Sequence, residues 1–509
     1  LAEREFSAKN RLKNRKQFTL GALGRDPGGH RGAGDKTQAI GRIDPVTEPP
    51  PPPHPPPAMG PRVAAALVFG SSAAVLVVEI TALRLLAPYL GLTLETSTLV
   101  IGIALAAIAL GSWAGGRAAD RVDPRRLIAP AMGVSGVVVA LSPAVVRMAA
   151  EWAPPLLILA ASAAILVPGA LLSAVTPMVT KIRLFDLADT GTVVGKLSGV
   201  GTVGAIAGTV ITGFVLISRL PVSAILVGLG VLLVIGAAVV EWRAHGWVRS
   251  RAATLVVALT AAALASAVAP GGCDAETKYH CAEVVADPDR DSGRTLVLDG
   301  LRHSYVDTAD PTVLQYDYVR ALAAVVDLAF PDRNALDAYH LGGGGLTFPR
   351  YLAEVRPGTR SLVSEIDGGV VGLDRDEFGD LAGTGIDIRV EDGRLGLQRL
   401  DTDTRDLVVG DAFGGVSVPW HLTTVEALSE IQRVLAPGGV YAANLIDHGE
   451  LEFARAEVAT VAEVFDHVAL LGEPTDLAVG PASARGGNLV VVASDRPLSV
   501  SALDDALTA

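Results

Sequence analysis

Seven apolar stretches between residues 63 and 269 constrain the fold more than any other feature of this sequence. Small residues recur within them, as in GVGTVGAIAGTV at 199–210, and let helix backbones approach closely. Each stretch is 19–23 residues long, enough for a helix to cross a bilayer: 63–83, 97–116, 127–146, 155–177, 197–218, 221–240 and 251–269. We predict an α-helical transmembrane bundle of about seven spans over residues 59–270, with the lipid bilayer as partner. A buried helical core in a water-soluble protein is disfavoured, because several consecutive stretches lack charge entirely.

Basic residues between the stretches predict the orientation of the bundle. Lys and Arg concentrate in the alternate segments 117–126, 181–196 and 241–251. Such segments face the cytoplasm in multi-pass proteins of the cell membrane. An odd number of spans then places everything after residue 270 outside the cytoplasm. Cys273 and Cys281 lie just past the last span, where they can form a disulfide or remain two unrelated thiols.

Two further features flank or interrupt the spans. Residues 1–58 are polar and end in the proline-rich run Pro49–Pro57, which predicts a disordered segment with a stiff spacer. We expect Met59 to be the true start of translation. Glu79 and Arg84 lie in EITALRLLAP, near the end of the first stretch. Charges inside a membrane are costly and often functional, but these two can also pair locally at the interface.

The part of the chain after residue 270 is strongly acidic. It holds 40 Asp and Glu against 18 Lys and Arg, and the whole chain carries a formal net charge of −12. This balance argues against nucleic acid as a partner and permits a cationic substrate. An acidic surface that only aids solubility is the alternative. The two cysteines cannot form a metal-ligand cluster alone, and we predict no metal site.

Strand-like and helix-like patterns alternate in this acidic half. An amphipathic helix is predicted over 314–330, and strands over 294–300, 335–341, 360–367, 386–393, 405–413, 438–447 and 488–494. Strands that alternate with helices indicate a mainly parallel sheet with helices on both faces. We predict a small β and helix cover over 271–330 and an α/β Rossmann-like nucleoside-binding domain over 331–509.

Four consecutive glycines follow the first strand of the predicted sheet. Ligands bind beyond the carboxyl ends of such strands, and Gly342, Gly343 and Gly344 leave room for a ligand against the backbone. Glu365 ends the next strand about 20 residues later, where a carboxylate can hold the two ribose hydroxyls of a nucleoside. Asp367 follows on the same strand face. The pattern predicts a nucleoside site.

Two more acidic residues end strands at the same edge. Asp392, followed by Gly393, ends the third strand and can accept a hydrogen bond from an adenine amino group. Asp411 ends the fourth strand, at the centre of the edge, where a carboxylate can deprotonate or orient an amine nucleophile. Each of these residues is also a suitable helix N-cap. Three acids that end consecutive strands favour the nucleoside site.

Several motifs resemble those of the spermidine synthase family, in the same order. They are LVLDG (296–300), QYDYVRAL (315–322), HLGGGGLTFPRYL (340–352), SEID (364–367), EDGR (391–394) and VVGDAFGG (408–415). The apolar half, with VVEITALRLLAPYLG (77–91) and GSWAGGRAADR (111–121), resembles the membrane half of fused, membrane-bound members of the same family.

The resemblance implies a polyamine aminopropyltransferase. Gly342–Gly344, Glu365, Asp392 and Gly393 would hold decarboxylated S-adenosylmethionine, an adenine nucleoside sulfonium, as co-substrate, with no prosthetic group. Asp411 would take the proton from the attacking amine of putrescine or a related polyamine. Tyr316 and Asp317 would contact that amine, giving spermidine and methylthioadenosine. The assembly, for which a homodimer is one option, is left open.

The sequence departs from this family pattern at the amine end. Gly345 and Gly414 stand where aspartates are usual, and residues 481–488 (PASARGGN) lack the expected tyrosine. The alternatives are therefore a membrane sensor or transporter that binds a polyamine or nucleoside without catalysis, and an S-adenosylmethionine-dependent methyltransferase. The LVLDG and QYDYVRAL motifs, which methyltransferases lack, favour the aminopropyltransferase. An external domain also conflicts with a co-substrate that is made in the cytoplasm.

Overall fold

The computed structural model describes residues 59–509, apart from 92, 185–188, 246–248, 270, 272, 416, 478–484, 498, 500, 504–506, 508 and 509. The side chains of 244, 245 and 249–253 also fall outside the description. The predicted disorder of residues 1–58 lies outside the described residues.

Helices occupy all seven predicted spans. Their bounds are α1 Pro61–Leu90, α2 Leu94–Arg121, α3 Arg125–Trp152, α4 Leu157–Ser173, α5 Val175–Arg183, α6 Thr190–Ile211, α7 Val222–His245 and α8 Arg249–Val268. Six helical segments are long and apolar enough to cross a membrane, with α4 and α5 together forming the segment Pro154–Arg183. In α8 the described apolar part, Thr254–Val268, is shorter. The predicted membrane-spanning bundle is confirmed.

Glycines allow two pairs of helices to pack at backbone distance. A Cβ at Gly204 of α6 would lie 2.4 Å from the carbonyl oxygen of Phe69 in α1, and one at Gly208 would lie 2.5 Å from that of Ala73. Gly136 of α3 and Gly230 of α7 make the same close approach to each other. A larger side chain at any of these four glycines would force the helices apart.

Two ends of the bundle can be distinguished by their contacts. The Lys181 ammonium lies 2.7 Å from the Asp120 carboxylate, and Arg183 donates to the carbonyl oxygen of Met59 at 3.0 Å. The basic segments near 117–126 and 181 therefore lie at one end of the bundle. Arg84 and Arg147 lie at the other end, where they contact residues after 270.

A four-stranded antiparallel sheet follows the membrane helices. Its strands are β1 Ala275–Glu276, β2 Cys281–Ala286, β3 Gly293–Leu298 and β4 Leu301–Asp307, paired in chain order. A disulfide joins Cys273 to Cys281. The sheet buries Ala282, Leu296 and Val306 against helix α11 (Gly368–Phe378). This sheet is the predicted β cover. Of the two possibilities for the cysteines, a disulfide or two unrelated thiols, the structure shows the disulfide.

The second sheet has seven strands in the order β10-β11-β9-β8-β5-β6-β7. The pairs formed among β5, β6, β7, β8 and β9 are all parallel. The β9–β11 and β11–β10 pairs are antiparallel. Their bounds are β5 Asp337–Leu341, β6 Arg360–Glu365, β7 Ile386–Val390, β8 Arg405–Gly410, β9 Leu435–His448, β10 His467–Leu471 and β11 Gly486–Ser494. This is the mainly parallel sheet that the alternation of strands and helices in the sequence predicted.

Helices cover both faces of the seven-stranded sheet. One face packs against α9 (Asp317–Ala329) and α10 (Thr347–Val355), and the other against α12 (Gly393–Leu397), α13 (Val425–Val434) and α14 (Glu452–Ala462). Helix α9, which the sequence grouped with the cover, packs on this sheet through Leu322 and Val326. The first turn of α9 lies at the carboxyl edge of the sheet, where the candidate site lies.

Candidate active site

A cavity of about 900 Å³ lies beyond the carboxyl ends of β5, β6 and β8. Residues of the cover, the first turn of α9 and the glycine run enclose it together. Glu365 and Asp411 face this one cavity, as do Gly342, Gly344, Asp392, Gly393, Tyr316 and Asp317. The structure thus brings together all of the predicted site residues except Gly343, which lies just behind the cavity wall.

The glycine run turns sharply because two of its members adopt positive φ. Gly342 has φ of 90°, and a Cβ there would lie 2.2 Å from the carbonyl oxygen of Asp411. Gly345 has φ of 77°, and its Cβ would lie 2.1 Å from the Ser304 hydroxyl of the cover. Both positions require glycine, for conformation and for space. The first brings the turn directly against the backbone of the central aspartate.

Two buried carboxyl groups hold the backbone of this turn. Gly343 N–H donates to Glu365 Oε2 at 2.8 Å, and Gly345 N–H donates to both oxygens of Asp374 at 3.1 Å. Burial raises the pKa of Glu365 above its usual value, although its backbone donors oppose this. Burial also raises the pKa of Asp374 to about 8, so that this carboxyl group is protonated for much of the neutral range. Asp374 lies in α11 and was not predicted.

Asp367, which the sequence places on the same strand face as Glu365, is not among the residues that line the cavity. Its side chain is 1% exposed and caps α11 by accepting from Gly369 N–H at 3.0 Å. The Thr277 hydroxyl of the cover donates to its other oxygen. Aspartate is a favoured N-cap residue, and Asp367, between the end of β6 and the start of α11, has this role.

Asp392 is a helix cap and also lines the cavity. One of its oxygens accepts from Leu395 N–H at 3.1 Å and caps α12. The other lies 3.0 Å from His421 Nε2, and both Asp392 and His421 line the cavity. The carboxylate fixes the orientation of the imidazole ring at the cavity wall. His421 was not predicted; it lies in a short 3₁₀ turn, Trp420–Leu422, just after the VVGDAFGG motif.

Asp411 is held by two hydrogen-bond donors. Tyr318 hydroxyl donates to Oδ2 at 3.2 Å, and Asn444 amide donates to Oδ1 at 2.9 Å. Asn488 in turn donates to the amide oxygen of Asn444 at 3.0 Å. Burial raises the pKa of Asp411 to about 6, while the two donors lower it. The carboxylate is therefore ionised at neutral pH, yet it is a stronger base than an exposed aspartate.

The two predicted amine-binding residues differ in position. Tyr316 lines the cavity, and its ring stacks on that of Tyr318 with centroids 6.1 Å apart. Asp317 lies at the rim, is exposed, and forms an ion pair with Arg320 one helical turn later. The two tyrosine rings form an apolar wall beside Asp411. The Asp317 carboxylate instead pairs with Arg320 at the rim of the cavity.

Several residues of the cavity were missed from the sequence. Tyr318 and Asn444 contact the central aspartate, and their signal was a polar residue at an otherwise buried position, in QYDYVRAL and in the β9 segment AANLID. Glu473 and Asp476 follow β10 and add two carboxylates to the cavity wall. Short-range patterns do not reveal such residues, since only the order of strands in the sheet brings them to this edge.

Known proteins resemble the acidic half of the chain. A probable polyamine aminopropyl transferase of Bifidobacterium longum is 28% identical over 194 residues, which are 38% of this chain and 42% of that protein. A polyamine aminopropyltransferase of Vibrio vulnificus is 30% identical over 150 residues, 29% of this chain and 48% of that protein. The chain thus spans less than half the length of these two curated relatives. No family model matches the chain.

A solved structure extends the likeness over most of a relative. The crystal structure of a probable spermidine synthase from Corynebacterium glutamicum is 33% identical and aligns with 46% of this chain and 84% of its own length, with a TM-score of 0.43. The two curated relatives support a spermidine synthase-like family for the part of the chain that follows the apolar helical bundle.

Proposed function

We propose that the protein transfers an aminopropyl group from decarboxylated S-adenosylmethionine to putrescine or a related amine. One observation carries the proposal: Glu365 and Asp411 face the same cavity, with the glycine turn between them. In this arrangement Glu365 binds the ribose of the nucleoside, and Asp392, Gly393 and the glycine turn receive the rest of it.

Asp411 is the proposed general base. The attacking amine is mostly an ammonium ion near neutral pH, because alkylamines titrate near pH 10. The Asp411 carboxylate, whose pKa is raised to about 6, takes a proton from the bound ammonium group before attack and so frees the nitrogen lone pair. The nitrogen then displaces neutral methylthioadenosine from the sulfonium carbon. Tyr318 and Asn444 hold the carboxylate so that it need not reorganise during the step.

The acidic wall of the cavity suits cationic substrates. Glu473 and Asp476 line the same cavity as Asp411 and supply carboxylates for a second ammonium group. They compensate in charge for Gly345 and Gly414, where the family pattern has aspartates. Tyr316 and Tyr318 line the same cavity, and their stacked rings suit the methylene groups of a diamine.

We also propose that this half lies outside the cytoplasm. The basic segments near 117–126 and 181 lie at the end of the bundle away from residues after 270, as the positive-inside rule requires for an external domain. The disulfide between Cys273 and Cys281 suits an oxidising compartment. The donor would then have to reach that side of the membrane.

Turnover by the full chain in detergent micelles tests the proposed reaction. We expect methylthioadenosine release when decarboxylated S-adenosylmethionine and putrescine are both supplied, and its loss in Asp411→Asn. Asp337→Asn is the matched control, because this residue begins β5 at the opposite edge of the sheet and pairs with Arg360 there. Binding without turnover would instead support a sensor or transporter, and methyl transfer from S-adenosylmethionine would support a methyltransferase.

A further inference from the structure

A short hairpin, Cys273–Cys281, lies between the membrane helices and the cavity; we call it the disulfide hairpin. Its ends are joined by the disulfide, and β1 pairs with the start of β2 inside it. His280 of this hairpin lines the cavity and lies 2.9 Å from the Asp299 carboxylate, which also accepts from Cys281 N–H. The hairpin is thus fixed within the cover and reaches the candidate site directly.

One side of the disulfide hairpin is held by the ends of three membrane helices. Arg84 of α1 donates to the carbonyl oxygen of Tyr279, and Arg147 of α3 forms an ion pair with Glu276. Ser223, in the first turn of α7, donates its hydroxyl to Glu276 at 2.9 Å and its N–H at 3.3 Å. Both arginine contacts join polar groups in a partly buried region, where they are screened little by water.

The other side of the hairpin reaches the nucleoside site through Thr277. Its hydroxyl oxygen accepts from the N–H groups of Tyr279 at 3.2 Å and His280 at 2.8 Å. The hydroxyl proton has two acceptors within reach, the carbonyl oxygen of His280 at 2.9 Å and the Asp367 carboxylate, and the charged acceptor forms the stronger hydrogen bond. Asp367 is buried, so that this contact is shielded from solvent.

Asp367 transmits the position of Thr277 to Glu365. The N–H of Asp367 donates to Glu365 Oε1 at 2.9 Å, and Gly343 N–H donates to Oε2 at 2.8 Å. The rotamer of Glu365 therefore depends on where the Asp367 backbone lies, and Thr277 fixes Asp367 from the far side. Hydrogen bonds, joined by the short backbone segment 276–280, thus link Arg84 and Arg147 to the carboxylate that faces the cavity.

We propose that Thr277 is a positioning residue for the nucleoside site and that, through the disulfide hairpin, the membrane helices set the affinity of this site for its nucleoside. The inference rests on the proposed function, because it takes Glu365 to be the ribose ligand. It assigns the membrane half a role in substrate binding beyond anchoring the domain in the bilayer.

Binding of 5′-methylthioadenosine to the full chain in nanodiscs, followed by calorimetry, tests the inference. This ligand carries the nucleoside without the aminopropyl group and reports on the site around Glu365. We expect Thr277→Val to raise Kd about tenfold, since it deletes a hydrogen bond to a charged group, and Thr277→Ser to restore binding to within about twofold. In turnover assays Thr277→Val should raise KM for the donor and leave kcat unchanged, because its contacts do not include Asp411.

Glu276→Gln provides a second variant that touches neither the cavity nor Asp367. It places an amide opposite the Arg147 and Ser223 donors, and we expect Kd for 5′-methylthioadenosine to rise about threefold. If Thr277→Val does not fold, this variant decides. Unchanged binding in the folded variants overturns the inference, as does a fall in kcat at unchanged KM. Failure of the unmodified chain to bind 5′-methylthioadenosine overturns the proposed function itself.

Discussion

Replacing Asp411 by asparagine should abolish turnover and at the same time stabilise the acidic half. Burial raises the pKa of Asp411 from 3.8 to about 6. The folded protein thus binds this proton more tightly than the unfolded chain does. The contribution of Asp411 to stability is therefore fully present below pH 4 and is lost as the pH rises to about 6. A shift of about 2 units corresponds to ~3 kcal/mol at pH 8.

Asparagine remains neutral at every pH and avoids this cost, while keeping an acceptor for Asn444 or Tyr318. We expect Asp411→Asn to raise the free energy of unfolding by about 2–3 kcal/mol at pH 8 and by close to nothing at pH 4. Pulse proteolysis of the full chain in increasing urea measures the unfolding of the water-exposed half. A variant that is less stable than the unmodified chain at pH 8, or an equal difference at both pH values, would refute the reasoning.

Three other predictions follow from the structure. The ratio kcat/KM should fall about tenfold per pH unit below pH 6, because only the ionised Asp411 accepts a proton; a profile flat to pH 4.5 would exclude it as the base. Gly342→Ala should destabilise the glycine turn by more than ~1 kcal/mol, because φ is positive and the Cβ meets the Asp411 carbonyl; wild-type stability in urea would contradict this. In intact cells an impermeant maleimide should label Cys273 and Cys281 only after reductant, and labelling that requires lysis would reverse the sidedness.

The sequence predicted the fold well where one physical signal dominated. Length and hydropathy located the helices of the membrane half, and alternation of strands and helices located the parallel strands β5 to β8. Strands β1, β2, β4 and β10 were missed. Strand β2 has the pattern CAEVVA, too short to show alternation, and β10 has the short apolar sequence HVALL.

The candidate site was predictable only in its local parts. Glu365 and Asp411 end strands that are neighbours of β5, so strand order alone brings them to one edge. The partners of Asp411 come from α9 and β9, 93 and 33 residues away in the chain. Asp367 shows the converse limit, because its identity and spacing suit a ligand contact as well as a cap, and only the position of Thr277 decides between them.

Gly345 offers a final test of how the cover shapes the glycine turn. The Ser304 hydroxyl occupies the place of a side chain at position 345 and is one of the buried polar atoms without a partner in the described part of the chain. Ser304→Ala removes an unpaired buried hydroxyl, so we expect it to be neutral or to stabilise by up to ~1 kcal/mol.

Gly345→Ala should destabilise in two ways, through the positive φ and through its contact with the Ser304 hydroxyl. In the Ser304→Ala background only the cost of positive φ and a 3.0 Å contact with the remaining Cβ are left. The double-mutant cycle, measured by urea denaturation, should therefore give a favourable coupling of about 1 kcal/mol or more between the two substitutions. Additive effects would mean that the cover moves away from the turn at little cost, and that the turn, rather than the cover, limits what residue 345 can be.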